Sequence, residues 1–228
     1  MCENCIFVVK FTAQISVEMN KNDKNTSALI SSRFSILPTG WKDEANNKVV
    51  PRQNPQQTQT IDWVYEYIIS DRARWATMQL REIAPTASRE ETQDFKVLNF
   101  MYATFSGIFT YRRANRLVRR SPFITIDIDH LNSLDQARRV RDRLIADKMV
   151  ETALCFISPS GQGVKWIVSL PEWTEGLPFK KQFDSVQKHV EFQYGIVVDS
   201  SGSDVCRACF LPWDPECYVN EKYIIYKK

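Results

Sequence analysis

Scarcities set the first limits on this chain of 228 residues. No apolar stretch approaches the roughly 20 consecutive residues that a bilayer-spanning helix needs. The longest early apolar run, Ile6 to Val9, is too short for a signal-peptide core, so the expected location is the cytoplasm and no membrane partner is expected. Histidine is nearly absent: only His130 and His189 occur, and neither stands in an HxH or HExxH pattern. Glycine and proline are sparse, at 7 and 10 residues, while 43% of the chain is hydrophobic and 25% charged, the balance of an ordinary globular protein. At roughly 150 residues per domain, that length allows one large domain, or one domain with a substantial appendage, with enough core to need no covalent staple. The six cysteines, at 2, 5, 155, 206, 209 and 217, read as reduced thiols in such a compartment. Net charge is only +3, so it neither demands nor excludes a nucleic-acid partner.

The chain divides unevenly. Residues 1–95 read as an N-terminal α/β extension packed on the core, with a polar, Asn/Gln/Ser/Thr-rich insertion over about 20–60 that is interrupted by Pro38, Pro51 and Pro55 and reads as loop. Ile61, Val64, Ile68 and Trp75 recur at helical spacing and predict an amphipathic helix over about 61–78. Residues 96–228 are more regular. Phe123 to Asp129 alternates Ile124, Ile126 and Ile128 with Thr125, Asp127 and Asp129, the period of a half-buried strand. A helix follows, capped by Ser133 with Gln136 and striped by Leu134, Ala137, Val140, Leu144 and Ile145. Ala153 to Ile157 and Val164 to Leu170 predict two strands joined by a Ser158–Gly163 turn. Phe179, Phe183, Val186 and Val190 stripe a second helix ended by Gly195, before a short strand at Ile196 to Asp199. The order strand, helix, strand, strand, helix, strand is an α+β, RRM- or ferredoxin-like split βαβ core: an antiparallel sheet with both helices on one face and the other face free for ligands.

Asp127 and Asp129 are two apart on one strand, so their carboxylates leave the same face about 7 Å apart. Like charges so placed call for a cation, and Mg²⁺ is held by just such carboxylates together with substrate phosphates. The residues alone also permit a solvated strand face. The turn Ser158-Pro159-Ser160-Gly161-Gln162-Gly163 supplies small residues and backbone N–H groups, and Lys165 adds a point charge, so a phosphate cradle and a plain hairpin turn are both open. In the split βαβ order the first and third strands are antiparallel neighbours, which sets Lys165 beside the end of the Asp127 strand. Asp199 ends the fourth strand on the other side and adds a third carboxylate, or merely a turn former before Ser200, Ser201 and Gly202. Arg207 can pair with Asp204 or hold a triphosphate with its planar fork.

Arginines crowd positions 112, 113, 116, 119 and 120, with Tyr102, Phe105, Phe109 and Tyr111 preceding or interleaved. Such a run is either a solvated face or a track for a single-stranded phosphate backbone with aromatic platforms. Cys2/Cys5 and Cys206/Cys209 are two CxxC pairs, but they do not make a compact knuckle, and zinc is not expected.

Together, Thr104-Phe105-Ser106-Gly107, the strand ending Ile126-Asp127-Ile128-Asp129, the turn Ser158 to Lys165, and Val198-Asp199 through Phe210 resemble the N-terminal primase-like domain of VirE-type proteins. Coverage is about residues 95–218, with a looser match at Ile15-Ser16-Val17. That family belongs to the archaeo-eukaryotic primase superfamily, found on bacterial chromosomes, mobile elements and phages. The resemblance implies that Asp127, Asp129 and Asp199 hold two catalytic metals, Mg²⁺ or Mn²⁺. It implies that Ser158, Ser160, Gly161, Gly163, Lys165 and Arg207 bind the nucleotide, and that Arg112, Arg113, Arg116, Arg119 and Arg120 serve nucleic acid. Most of the superfamily carries a nucleotide-contacting His where Lys165 stands here.

The chemistry so implied is two-metal nucleotidyl transfer, a DNA primase or primase-polymerase joining nucleoside triphosphates on a single-stranded DNA template or primer in replication of a mobile element or phage, with a helicase domain or protein as a further candidate partner. No protein nucleophile is needed, in keeping with the lack of any Ser–His or Cys–His constellation. The alternative is a non-catalytic single-stranded nucleic-acid-binding module with a vestigial acidic cluster. A rolling-circle nicking endonuclease shares the sheet topology but needs the missing His pair.

Overall fold

The computed structural model describes residues 31–225, apart from 172, 173 and 175. The stretch expected to be loop contains four short strands: β1 (Phe34–Leu37), β2 (Trp41–Asp43), β3 (Lys48–Val50) and β4 (Gln57–Gln59). All four residues of β1 are buried, Ser35 included, so the strand shows no alternation to betray it among polar neighbours. The β2–β3 hairpin closes where Asn47 adopts a left-handed φ of 45° and the Asp43 carboxylate accepts from the Ala45 and Asn46 amides. Asx-type turns of this kind explain why a polar composition made an ordered hairpin look like loop.

The helix expected over 61–78 is broken in two. Helix α1 (Ile61–Ile69) is capped by Thr60, and Ser70 leaves it in extended conformation before a 3-10 turn and α2 (Arg74–Ile83). The break resets the helical phase, so Ala73, Ala76 and Leu80 are buried while Trp75 is 66% exposed, off the stripe it was assigned to. Helix α3 (Arg89–Asn99) opens with a reciprocal capping box, Ser88 with Glu91. Next come β5 (Tyr102–Thr104), β6 (Gly107–Phe109) and β7 (Leu117–Arg120).

The remaining elements follow the predicted order closely: β8 (Phe123–Ile128), α4 (Leu134–Ile145), β9 (Glu151–Ile157), β10 (Val164–Ser169), α5 (Phe179–Tyr194), and two short strands, β11 (Cys209–Phe210) and β12 (Tyr218–Val219). Ser133 caps α4, but the Gln136 side chain accepts from the Asn132 amide rather than closing a box on Ser133. One sheet runs β12-β9-β10-β8 and another β11-β5-β1-β4, with every pairing antiparallel. The second of these sheets draws strands from both sides of residue 95. The fold is α+β, with five α-helices among the described residues, and none of them is long and apolar enough to cross a membrane.

Helices α4 and α5 cover one face of the β8 sheet: Ala137, Val140 and Leu144, with Phe183, Val186 and Val190, meet Ile124, Ile126 and Ile128. The opposite face is not free, as the half-buried pattern had suggested. Phe123, Leu154, Phe156 and Ile167 pack there against Phe34, Ile36, Val64, Ile68 and Leu80, so the N-terminal elements form a second core and leave only the end of the sheet open. The strand expected at Ile196–Asp199 is also absent. Gly195, at φ 65°, ends α5, and the segment touches β8 through one backbone bond, Asp199 N–H to Asp127 C=O at 2.9 Å, before a 3-10 turn over Ser200–Ser203. A Cβ on Gly202 would lie 2.5 Å from the Phe183 ring, so this turn, not a ladder, seals the sheet edge.

Candidate functional site

Antiparallel pairing of β8 with β10 puts Asp127 and Lys165 directly opposite one another. Lys165 Nζ forms an ion pair with Asp127 and lies 3.4 Å from Asp129 Oδ1. Arg207 Nη2 donates to Asp199 Oδ2 at 3.0 Å and sits 3.8 Å from Asp127 Oδ2. Ligand oxygens of Asp127, Asp129 and Asp199 all lie within 4.8 Å of one another, so the three carboxylates singled out in the sequence do converge. Asp199 gets there without a strand, held by the Asp127 backbone bond and by the Ser201 amide and hydroxyl, which donate to its carboxylate.

Charges in the cluster are strongly perturbed. Burial pushes the Asp127 carboxyl up and Asp129 adds to this, while Lys165 and Arg207 pull it back. Burial works against the Lys165 ammonium, yet Asp127 and Asp129 together hold its pKa above the ordinary value. Both partners thus titrate high; with two cations within ion-pair range of Asp127, the charged pair is the state that the geometry favours. Burial also opposes ionisation of Asp199, but the Ser201 donors and Arg207 keep it below the usual carboxylate range.

A cavity of about 250 Å³ opens over this cluster, lined among others by Asp127, Asp129, Ser158, Ser160, Lys165 and Arg207. The Ser158 and Ser160 hydroxyls are 3.3 Å apart at its wall. The cradle of free N–H groups expected of this turn is in part spent on the hairpin itself, because Ser158 N–H donates to Gly163 C=O and Gly161 N–H to Ser158 C=O. Gly161, at φ 78°, makes the tight turn feasible. Gly163 allows β10 to approach β8: a Cβ there would sit 2.5 Å from Ile128 O and 2.9 Å from Asp129 Oδ1. Arg207 pairs with Asp199 and Asp127 rather than with Asp204, whose carboxylate accepts from the Cys206 amide. Its Nε is buried with no hydrogen-bond partner among the described residues.

The arginine-rich segment is split in its roles. Arg112 lines the cavity and bonds Gln53 Oε1 at 3.1 Å. Arg113, Arg116 and Arg119 are exposed. Arg120 is committed to the fold, donating to Ser106 C=O and to Gln182 at 3.3 Å and lying 4.5 Å over the Phe179 ring, and burial brings its pKa down to about 10. Tyr102, Phe105 and Phe109 are buried in the molecule, which removes them as stacking platforms and leaves Tyr111. His130 is exposed, with a left-handed φ of 61°. Cys206 and Cys209 are buried, with thiols pushed up to about 11 and about 12, a state unlike that of thiolate metal ligands; Cys2 and Cys5 lie outside the described residues, as does the Ile15-Ser16-Val17 stretch.

Sequence reasoning missed the far wall of the cavity. Pro51, Gln93, Lys96 and Tyr102 come from the β3–β4 loop, α3 and β5. Burial and the charge of Lys165 hold the Lys96 pKa below its ordinary value. The readable signal was the capping box at Ser88-x-x-Glu91, which announces the helix that carries Gln93 and Lys96.

A family model described as BT4734-like, N-terminal domain, matches residues 97–219, just over half of the chain. No curated protein and no solved structure matches it. The resemblance drawn from the motifs to the VirE-type primase-like domain is thereby corrected: the matched family is a different one, and no comparison ties the chain to the archaeo-eukaryotic primase superfamily.

Proposed function

The chain belongs to the family described as BT4734-like, N-terminal domain, through residues 97–219, and on the geometry of the cavity we propose that it is a metal-dependent nucleotidyltransferase site, of primase or polymerase type, that joins nucleoside triphosphates on single-stranded DNA in replication of a bacterial mobile element or phage. The observation that carries this reading is the convergence of three carboxylates within 4.8 Å of one another in a cavity that also holds Lys165 and Arg207. The donor set fits Mg²⁺ or Mn²⁺, since all three groups offer hard oxygen ligands and neutral histidine or thiolate ligands are lacking in the cluster. Asp127, Asp129 and Asp199 would hold the ions, whose chemistry when bound is to lower the pKa of an attacking hydroxyl and to neutralise charge on the leaving phosphates.

The chain's own cations complete the site. Arg207 lines the cavity, and its guanidinium would bind phosphate oxygens there. Lys96 also lines the cavity and makes no ion pair within 4.0 Å among the described residues, and an incoming triphosphate would offset the cost of burying its charge. The Ser158 and Ser160 hydroxyls can donate to the same ligand.

A second reading has its own support. Lys165 and Arg207 already pair with Asp127 and Asp199, so two of the three carboxylates are offset by protein cations, as expected of a non-catalytic single-stranded nucleic-acid-binding module. Calorimetric titration with a nucleoside triphosphate in Mn²⁺, beside the folded Asp127→Ala/Asp129→Ala double variant, separates the two. Binding that needs both metal and aspartates supports the transferase; no binding by folded wild type supports the module.

A further inference from the structure

The β2–β3 hairpin, from a stretch whose composition carried no visible chemistry, packs against α3, whose residues Gln93, Lys96 and Val97 line the cavity. Its approach is close and specific: Gly40 N–H donates to Val97 C=O at 2.7 Å, and a Cβ on Gly40 would fall 2.4 Å from both Val50 O and Val97 Cγ1. Pro51, immediately after the hairpin, and Val97 both line the cavity. The β3–β4 loop that follows ties the hairpin to the arginine-rich segment, because Arg112 N–H donates to Gln53 C=O at 2.8 Å, and to β5, because Tyr102 Oη donates to Arg52 C=O.

Two arginine–aromatic pairs result on one connected rim. The Arg52 guanidinium lies 4.3 Å from the Trp41 ring centroid, and Arg113 lies 5.2 Å from that of Tyr111. Trp41 remains 40% exposed, so part of the ring is open beside the Arg52 guanidinium. Lys42, Lys48, Arg116 and Arg119 add exposed positive charge. The two acids of the hairpin are engaged: Glu44 faces Lys42 at 3.7 Å, which leaves Lys48, Arg116 and Arg119 as exposed cations, and Asp43 is turned into its own hairpin turn by the Ala45 and Asn46 donors. The rim is thus basic, aromatic and preorganised, which is the combination that holds unpaired bases by stacking and their phosphates by charge. Duplex would satisfy the charge but bury its bases away from Trp41.

We infer that Trp41 of the β2–β3 hairpin and Arg52 of the loop after it, with Tyr111 and Arg113, form a docking rim for single-stranded nucleic acid that leads a strand to the cavity. This deepens the proposed function and rests on it for its purpose, although strand binding itself stands on the rim alone.

The test is fluorescence anisotropy with a labelled single-stranded DNA of about 20 nucleotides, its RNA counterpart and its duplex, over a range of salt concentrations, for wild type, Trp41→Ala and Arg52→Glu/Arg113→Glu. Wild type is expected to prefer either single strand over duplex. Trp41→Ala is expected to weaken binding roughly tenfold, as loss of a stacked base would, and the charge-reversal variant to weaken it further with a shallower salt dependence. Circular dichroism guards against misfolding of Trp41→Ala, and the exposed-charge variant keeps the test decisive if that one fails to fold. Equal affinity in wild type and the charge-reversal variant overturns the inference, as does duplex binding as tight as single-strand binding. Nucleotide titration in Mn²⁺ on the same preparations separates the two readings: strand binding lost in the variants while wild type binds no nucleotide upholds the rim and removes the transferase.

Discussion

Lys165 and Asp127 are cross-strand partners whose side chains form a nearly buried ion pair where β10 meets β8, with Asp129 Oδ1 3.4 Å from the same ammonium. A lysine here has two effects at once. It neutralises a carboxylate that burial would otherwise leave protonated, and under the transferase reading it competes with a metal ion for Asp127. The pair therefore couples the stability of the sheet to the chemistry of the cavity.

Removing the lysine is predicted to expose that coupling. Lys165→Ala leaves Asp127 buried with only Arg207, at 3.8 Å, near enough to compensate it. Loss of one partner of a buried pair typically costs about 3 to 5 kcal/mol. Under the transferase reading, Mn²⁺ should recover more of that loss in the variant than it adds to wild type, because no ammonium competes for the carboxylate. Urea denaturation with and without Mn²⁺ measures both, and an identical metal response in the two proteins would count against metal binding at Asp127.

Lys96 gives a prediction confined to the ligand. It lines the cavity and makes no ion pair within 4.0 Å among the described residues, so Lys96→Ala should leave the fold intact. A lost charge-assisted contact to phosphate corresponds to a fall in triphosphate affinity of about 10- to 100-fold. Titration of nucleoside triphosphate in Mn²⁺ reads this directly; unchanged affinity would place the triphosphate elsewhere.

Gly163 tests how closely the two strands must approach. Gly163→Ala would put a methyl group 2.5 Å from Ile128 O, which is backbone and yields poorly, and 2.9 Å from Asp129 Oδ1. Overpacking of this kind typically costs about 1 to 3 kcal/mol, and displacing Asp129 should also weaken Mn²⁺ affinity. Thermal melts and metal titration check the two effects separately, and a variant with wild-type values in both would show that the contact is easily relaxed.

The core of this site was legible because its residues obey simple periods. Alternation placed Asp127 on β8, which ends at Ile128 so that Asp129 stands just past it, and the split βαβ order put Lys165 opposite Asp127, as the register shows. Asp199 was found for a reason that did not hold: its strand is absent, and one backbone bond with a 3-10 turn delivers the carboxylate instead. The N-terminal half was illegible for the opposite reason. Its strands are three or four residues long, too short for a period to emerge, and β1 is buried along its whole length. Trp75 misled because a helical period cannot reveal a break at Ser70. The aromatics near the arginines misled because Tyr102, Phe105 and Phe109 are needed inside the molecule. Packing between distant segments decides such positions, and sequence spacing does not report it.

Away from the cavity, Asp147 sets an acid limit on the fold. Its side chain is 2% exposed, and it accepts from His189 at 2.7 Å, from the Tyr194 hydroxyl, and from the Met149 and Val150 amides. Burial alone would raise its pKa, but these donors outweigh burial and bring it down to about 2, from the ordinary value of 3.8. Because the folded-state pKa is depressed, the stabilisation is full above the unfolded value and disappears as pH falls from about 4 through about 2. The size is about 2 kcal/mol, from the free-energy equivalent of the shift. Asp147→Asn should therefore lose about that much stability at pH 7 and show a flatter profile between pH 4 and pH 2, since the amide cannot ionise. Chemical denaturation across that range, wild type beside variant, measures the difference. Parallel profiles would mean that the α4–α5 junction holds Asp147 no more tightly than the unfolded chain does, and that acid sensitivity arises at the carboxylates of the cavity.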